Sequence, residues 1–118
     1  MSYILHMIFG DFIRKRRLDL HDKDRRFSAR QVAHRLGIEP SYLSKIERGL
    51  ERPPSIAVIV KLAQELKTEP DLLLSLAGKI HPEVTSTIIA RPVLMSRLIR
   101  ACRTMPDASI NALLGGDR

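Results

Sequence analysis

One stretch decides the fold: Gln31-Val-Ala-His-Arg-Leu-Gly-Ile-Glu-Pro-Ser-Tyr-Leu-Ser-Lys-Ile-Glu-Arg-Gly49. It predicts two short helices joined by a tight turn. Ser28 stands where an N-cap is needed, and Gln31 follows three residues later, as in a capping box. Gly37 ends the first helix, because glycine adopts the left-handed conformation at low cost. Pro40 fits the first turn of the second helix, which Gly49 closes.

The spacing of small, apolar and polar side chains predicts that the two helices cross steeply. Ala33 is small enough to let the second helix pass closely. Five apolar side chains fall on the positions that must face inward: Val32, Leu36, Ile38, Leu43 and Ile46. The outward positions of the second helix carry Ser41, Tyr42, Ser44, Lys45 and Arg48. Because this outward face has no acid, it can approach the phosphates of DNA.

Helices are also predicted on both sides of this pair, and no segment shows the period-two alternation of a strand. A first helix carries four apolar side chains on one side: Phe9, Phe12, Ile13 and Leu20. The charged run His21–Arg26 lacks an apolar period and is predicted to be a loop. Ser55 caps a fourth helix, and Leu72–Ala77 form a fifth that Gly78 stops. Prolines at the starts predict three further short helices, over about residues 82–90, 92–103 and 106–114.

The predicted architecture is all-α, with a five-helix domain over residues 8–78 and a helical extension over residues 79–118. Residues 1–54 carry 12 basic and 7 acidic side chains, which is net +5 of the chain's total of +7. This surplus favours a polyanionic partner. A single cysteine, Cys102, cannot form an internal disulfide, which favours a reducing cytoplasm. The apolar run at the N-terminus is too short to span a bilayer, so no membrane partner is expected.

The stretch from Gln31 to Gly49, with the Pro54-Ser55 pair that opens the fourth helix, resembles the Cro and phage-repressor type of helix-turn-helix, the XRE family. The resemblance covers about residues 8–78. It implies a five-helix phage-repressor-like domain. It further implies that such a protein represses or activates transcription, usually as a homodimer on a near-palindromic operator.

The resemblance assigns roles to particular residues. It implies that Ser28–Leu36 form the positioning helix and Pro40–Arg48 the recognition helix. It also places Glu47 against Arg17, as a partly buried pair that holds the first helix on the recognition helix.

Two features depart from the family pattern. Ala29 stands where many members have a glutamine that braces against phosphate, so that role would pass to backbone N–H groups, Ser28 or Arg30. The loop between the first two helices is longer than usual, with His21–Arg26 inserted. Its basic residues either touch the DNA backbone or are merely solvated.

A helix of this kind fits the major groove, where all four base pairs differ in their hydrogen-bonding groups. Ser41, Ser44 and Lys45 are expected to meet base edges, and Lys45 can donate to guanine O6 or N7. Tyr42 is expected at a phosphate or a thymine methyl group. Phosphate contacts fix register rather than sequence. The complete candidate set for DNA contact is Ser28, Arg30, Gln31, Pro40, Ser41, Tyr42, Ser44, Lys45, Arg48 and Arg52.

The sequence therefore predicts a transcriptional regulator that binds double-stranded DNA by sequence, acts as a repressor and reads the major groove with helix 40–48. Alternatives with the same fold are an antitoxin and a restriction-modification controller. A third is a protein-interaction module that does not bind DNA. A partner protein would dock on residues 79–118, and most of a homodimer interface is expected from helix 5 onward.

No enzyme, metal or cofactor site is predicted. The four histidines are scattered without metal-ligand spacing. The chain has no nucleophile elbow and no glycine-rich phosphate loop.

Overall fold

The computed structural model describes residues 2–116, and within them the chain is helical with no strand, which confirms the all-α prediction. The helices run in the following order: α1 Ser2–Lys23, α2 Ala29–Leu36, α3 Pro40–Glu47, α4 Ile56–Glu65, α5 Pro70–Leu76, α6 Pro82–Ala90, α7 Pro92–Cys102 and α8 Asp107–Leu113. A short 3-10 turn, Arg25–Phe27, connects α1 to α2. The three C-terminal helices begin and end within one residue of the predicted bounds.

The helix ends follow the local signals in the sequence. The Ser28 hydroxyl accepts a hydrogen bond from the Gln31 backbone N–H at 3.2 Å and caps α2. The Ser55 hydroxyl accepts from the Val58 N–H at 3.3 Å and caps α4 in the same way. Gly37 has φ +74° and ends α2 in the left-handed region. The following N–H, of Ile38, donates to the Ala33 carbonyl at 3.0 Å, which completes the C-terminal cap.

The expected loop over His21–Arg26 is wrong in its first half, because α1 continues through Lys23. The lack of an apolar period does not prevent a helix here. Lysine is a good helix former, and the basic side chains of His21 and Lys23 in the last turn oppose the negative end of the helix dipole. Asp24 then caps the 3-10 turn, accepting from the Arg26 N–H at 3.0 Å.

The hydrophobic core lies within α1–α5 and the 3-10 turn. Its buried apolar side chains are Phe9, Ile13, Phe27, Val32, Ala33, Leu36, Leu43, Ile46, Ile59, Leu62, Ala63, Leu66, Leu73 and Leu74. Of the five inward positions predicted for α2 and α3, four are buried and Ile38 packs half-buried against the core. The inward faces of the two short helices were therefore predicted correctly.

At Gly10, α1 passes close to the backbone of α3. A Cβ at this position would overlap the Ile46 carbonyl oxygen and lie 2.8 Å from the Glu47 carbonyl oxygen. Both atoms belong to backbone that cannot move without displacing the end of α3. The absence of a side chain at Gly10 thus sets how closely the first helix supports the third.

The chain divides into two compact units, the first ending at His81 and the second beginning at Pro82. This division lies three residues after the expected boundary at Gly78, and α1 begins before residue 8. In the second unit, α6 and α7 pack on each other. None of the helices between residues 2 and 116 has the length and apolarity needed to cross a bilayer.

Candidate nucleic-acid interface

The outer face of α3 presents a row of polar side chains. Ser41, Lys45 and Arg48 are exposed and lie one helical turn apart along the same side. Tyr42 and Ser44 lie beside this row and are half-buried. On the opposite side, apolar packing fixes the rotation of the helix, because Leu43 and Ile46 are buried against α1 and α2.

Glu47, the acid within α3, faces the protein interior. Its carboxylate accepts two hydrogen bonds from the Arg17 guanidinium, Nε to Oε2 at 2.7 Å and Nη2 to Oε1 at 2.8 Å. Arg17 is 8% exposed and Glu47 is 7% exposed. The expected pair is therefore present in bidentate geometry, the form in which planar guanidinium and carboxylate groups match best.

The same guanidinium also anchors the turn before α2. Arg17 Nη1 donates to the Phe27 carbonyl oxygen at 3.2 Å. One buried side chain on α1 thus fixes both the end of α3 and the approach to α2. No buried side-chain nitrogen or oxygen among the described residues lacks a hydrogen-bond partner, as a satisfied internal network requires.

At the start of α2, Ser28 and Gln31 both form hydrogen bonds within the chain. Ser28 caps the helix, as described above. The Gln31 amide nitrogen, in the orientation that satisfies its surroundings, donates to the carbonyl oxygens of Arg25 and Arg26 at 3.1 and 3.2 Å. Gln31 therefore braces the 3-10 turn, and this nitrogen is not free for a phosphate while those bonds hold. Arg30 is exposed on the same helix.

The basic side chains of the turn are not equally available to an anion. The Arg26 guanidinium bonds the Asp24 carboxylate, Nη2 to Oδ2 at 2.7 Å and Nε to Oδ1 at 3.0 Å. The side-chain bond from Arg26, together with its backbone N–H, lowers the pKa of Asp24 to about 2. Because Asp24 is ionised near neutral pH, it offsets the charge of Arg26, whereas Lys23 and Arg25 are exposed and pair with no carboxylate of the described residues.

The N-terminus of α3 contains a residue that the sequence reasoning passed over. Glu39 is the N-cap residue, yet its side chain makes no capping hydrogen bond, and it is exposed directly before Pro40. The signal was an acidic residue immediately before the first helical proline. The predicted outward face began at Ser41, so it did not include Glu39.

Two further arginines flank the C-terminal end of α3. Arg52 is exposed on the connection to α4. Arg48 lines a hollow together with Arg14 of α1, whose exposed guanidinium was not among the predicted contacts. Arg14 and Arg48 bring positive charge to this hollow, which Asp11 and Glu47 also line, and positive charge is what binding a phosphate backbone requires.

Two short helices that cross at a tight turn, the second with its polar face outward, define a helix-turn-helix domain. Here a buried ion pair also fixes the end of the second helix. Comparison with known families agrees. The model of the helix-turn-helix family, of the XRE type, matches residues 13–73, and the chain belongs to this family.

Curated relatives with this domain are similarly named. An uncharacterized HTH-type transcriptional regulator of Mycobacterium tuberculosis, found in two strains, is 39% identical over 79 residues, which is 67% of this chain and 52% of that protein. The HTH-type transcriptional regulator SlrR of Bacillus subtilis is 40% identical over 50 residues, 42% of this chain and 33% of that one. The chain thus spans about half the length or less of the relatives it matches. No solved structure matches it significantly.

Proposed function

We propose that the protein is a transcriptional repressor that reads the major groove of double-stranded DNA by sequence through α3. The observation that carries this proposal is the inward turn of Glu47. Because Arg17 holds that carboxylate inside, the exposed polar positions within α3 are neutral or basic, and the exposed acid at its start is Glu39, before the helix. A helix with this face can enter the groove without charge repulsion from phosphates.

Within the row, exposure separates two kinds of contact. Ser41 in the first turn of α3 and Lys45 in its last turn are exposed and are assigned to base edges, with Lys45 donating to guanine O6 or N7. Ser44 and Tyr42 are half-buried and reach less far. Glu39, which has no partner at the helix start, can accept from a cytosine N4 amino group.

A second group of side chains is assigned to phosphates. They are Arg30 at the start of α2 and Arg48 and Arg52, which follow α3 in the chain, and all three are exposed. Arg14 of α1 joins this group through the hollow that it shares with Arg48. Such contacts supply affinity and register but no preference for sequence.

The proposed binding form is a homodimer on a near-palindromic operator. One helix of eight residues covers few base pairs, and a two-fold axis doubles the site. The first unit leaves three large aliphatic side chains exposed after α3: Leu50, Leu72 and Ile80. The last two lie in the region from helix 5 onward where the interface is expected, and their burial in a dimer would remove apolar surface from water.

Selection of bound sequences from random duplex DNA tests this function. We expect an enriched motif with two inverted half-sites, spaced about one helical turn, or about 10 base pairs, from centre to centre. A repressor also lowers reporter expression when that motif overlaps a promoter. Lys61→Ala, at an exposed site on α4 outside the proposed contacts, is the matched control and should select the same motif. Recovery of no motif, with no affinity for duplex DNA, would overturn the proposal.

A further inference from the structure

The second unit does not enclose a core of its own. Between residues 82 and 116, no described side chain is buried. The partly covered positions of α7 are Met95, Ser96 and Cys102. A unit of this length is below the size at which burial within one chain stabilises a fold by itself. Its apolar side chains are therefore available to a second surface.

Helix α7 carries the largest group of these side chains. Val93, Leu94, Leu98 and Ile99 are 71%, 55%, 48% and 51% exposed. Leu94 and Leu98 are four residues apart and lie on one side of the helix, and Ala101 extends that side by a further turn. This row, Leu94–Leu98–Ala101, has the spacing of apolar side chains with which two amphipathic helices pack on each other.

The polar positions of α7 are basic. Arg97 and Arg100 lie within the helix, and Arg91 and Arg103 lie directly before and after it. The helix contains no acid, and none of these four arginines forms an ion pair with a carboxylate of the described residues. Arg97 follows Val93 by four residues and borders the apolar row, where an incoming carboxylate could pair with it.

These charges distinguish between two possible occupants. A second copy of this chain docked on α7 would bring the same arginines together, so the proposed homodimer would use Leu72 and Ile80 and not this face. Like charges placed face to face oppose association, whereas complementary charges both speed it and select the partner. We propose that the α7 face docks an acidic amphipathic helix of another protein, with apolar side chains on the Leu94–Leu98–Ala101 row and carboxylates at the arginines.

Three synthetic peptides with a fluorescent label test this proposal on the full chain. The first is an 18-residue helix with leucines at heptad a and d positions and glutamates beside them. The second has lysine in place of each glutamate, and the third has serine in place of each leucine. We expect the first to bind at least about tenfold more tightly than either of the others, which corresponds to about 1.4 kcal/mol. Its affinity should fall as salt is raised.

Variants locate the binding face. Leu98→Asp and the neutral double variant Arg97→Ala/Arg100→Ala should each weaken binding of the acidic leucine peptide at least about tenfold. Arg25→Glu, a charge reversal at an exposed site in the first unit, should leave it unchanged. Helix content by circular dichroism should match the parent in all of them, because the altered side chains are largely exposed.

Several results would overturn the proposal. If the lysine peptide binds as tightly as the glutamate peptide, the arginines do not select an acidic partner. If the serine peptide binds as tightly, the apolar row does not contact the peptide. Unchanged affinity in Leu98→Asp would place the peptide elsewhere. If sedimentation shows a dimer of the full chain that Leu98→Asp dissociates, the occupant is a second copy. Duplex binding, measured on Leu98→Asp, should not change, because this side chain lies outside the proposed DNA contacts. Its absence from the parent protein would refute the proposed function without affecting the peptide result.

Discussion

Replacing Gly10 by alanine sets two effects of opposite sign against each other. Alanine favours a helix interior by about 1 kcal/mol over glycine, so an unobstructed site would become more stable. Here the added Cβ would overlap the Ile46 carbonyl oxygen and lie 2.8 Å from that of Glu47. Both obstacles are backbone atoms, which cannot rotate away as a side-chain end can.

The obstruction decides the outcome. Overpacking a close contact typically costs about 1–3 kcal/mol, and the rigid backbone on the far side puts this site at the upper end. After the helix-propensity gain is subtracted, we expect Gly10→Ala to lower the free energy of unfolding by about 1–2 kcal/mol. Separation of α1 from α3 would also stretch the Arg17–Glu47 hydrogen bonds, so affinity for the selected duplex should fall as well.

Urea unfolding followed by circular dichroism measures this change. Gly37→Ala is the informative comparison, because a Cβ there meets open space and the backbone φ of +74° is the sole obstacle. Gly37→Ala should lower the free energy of unfolding by about 1 kcal/mol, because alanine is strained in the left-handed conformation, and it should leave the contact between α1 and α3 unchanged. A Gly10→Ala variant as stable as the parent, or more stable, would show that α1 does not cross α3 at this residue.

The remaining predictions concern the ion pair, the reading face and the turn. Arg17→Ala or Glu47→Ala should each cost about 3–5 kcal/mol of unfolding free energy, since each leaves a buried charge alone. The double variant should cost less than the sum, and strict additivity in the cycle would refute the coupling. Lys45→Ala should lose about 1–3 kcal/mol on the selected duplex and relax preference at one base pair, whereas Arg52→Ala should weaken all sequences alike. If both variants lose affinity equally for all sequences, Lys45 contacts a phosphate and not a base. The logarithm of duplex affinity should fall with the logarithm of salt by about 0.9 per phosphate neutralised, and a flat salt titration contradicts the phosphate assignments. Because its folded pKa is lowered, Asp24 contributes stability above its usual pKa of 3.8 that disappears as pH falls through about 2. In an NMR titration of its carboxyl carbon, Asp24 should have a midpoint near pH 2. A midpoint near 3.8 would show that Arg26 does not pair with Asp24.

The parts of the fold that the sequence predicted correctly are those set by local chemistry. Ser28 and Ser55 cap helices through their own hydroxyl groups, and Gly37 ends α2 by its own backbone freedom. The apolar spacing of α2 and α3 likewise follows from helical geometry alone. These signals need no knowledge of what lies across the core.

The parts that the sequence did not predict depend on partners elsewhere in the fold. Gly10 looks like any glycine in a helical segment until α3 crosses it. Gln31 reads as an exposed polar residue until the 3-10 turn offers it two carbonyl oxygens. The charged residues after Leu20 looked like a loop because charge and exposure are shared by loops and by the outer side of a helix end. We therefore propose that Gln31 braces the turn and that Arg14 joins the phosphate contacts.

The buried ion pair links the stability of the domain to the chemistry of its reading face. The rotation of α3 is fixed by the burial of Leu43 and Ile46, and the next position, Glu47, then lies at the inner edge. A carboxylate without a partner at that depth would cost several kcal/mol, or would turn outward and place negative charge beside the groove-facing row. Arg17 removes both penalties at once, because it neutralises the acid where apolar packing has already placed it. A pair of apolar residues could stabilise the same contact, so the pair need not add net stability. What it adds is directional, since two hydrogen bonds hold the end of α3 at one angle to α1. Side chains of a recognition helix must reach base edges at hydrogen-bond distance, and they can do so only if the helix is held at a fixed angle to the rest of the domain.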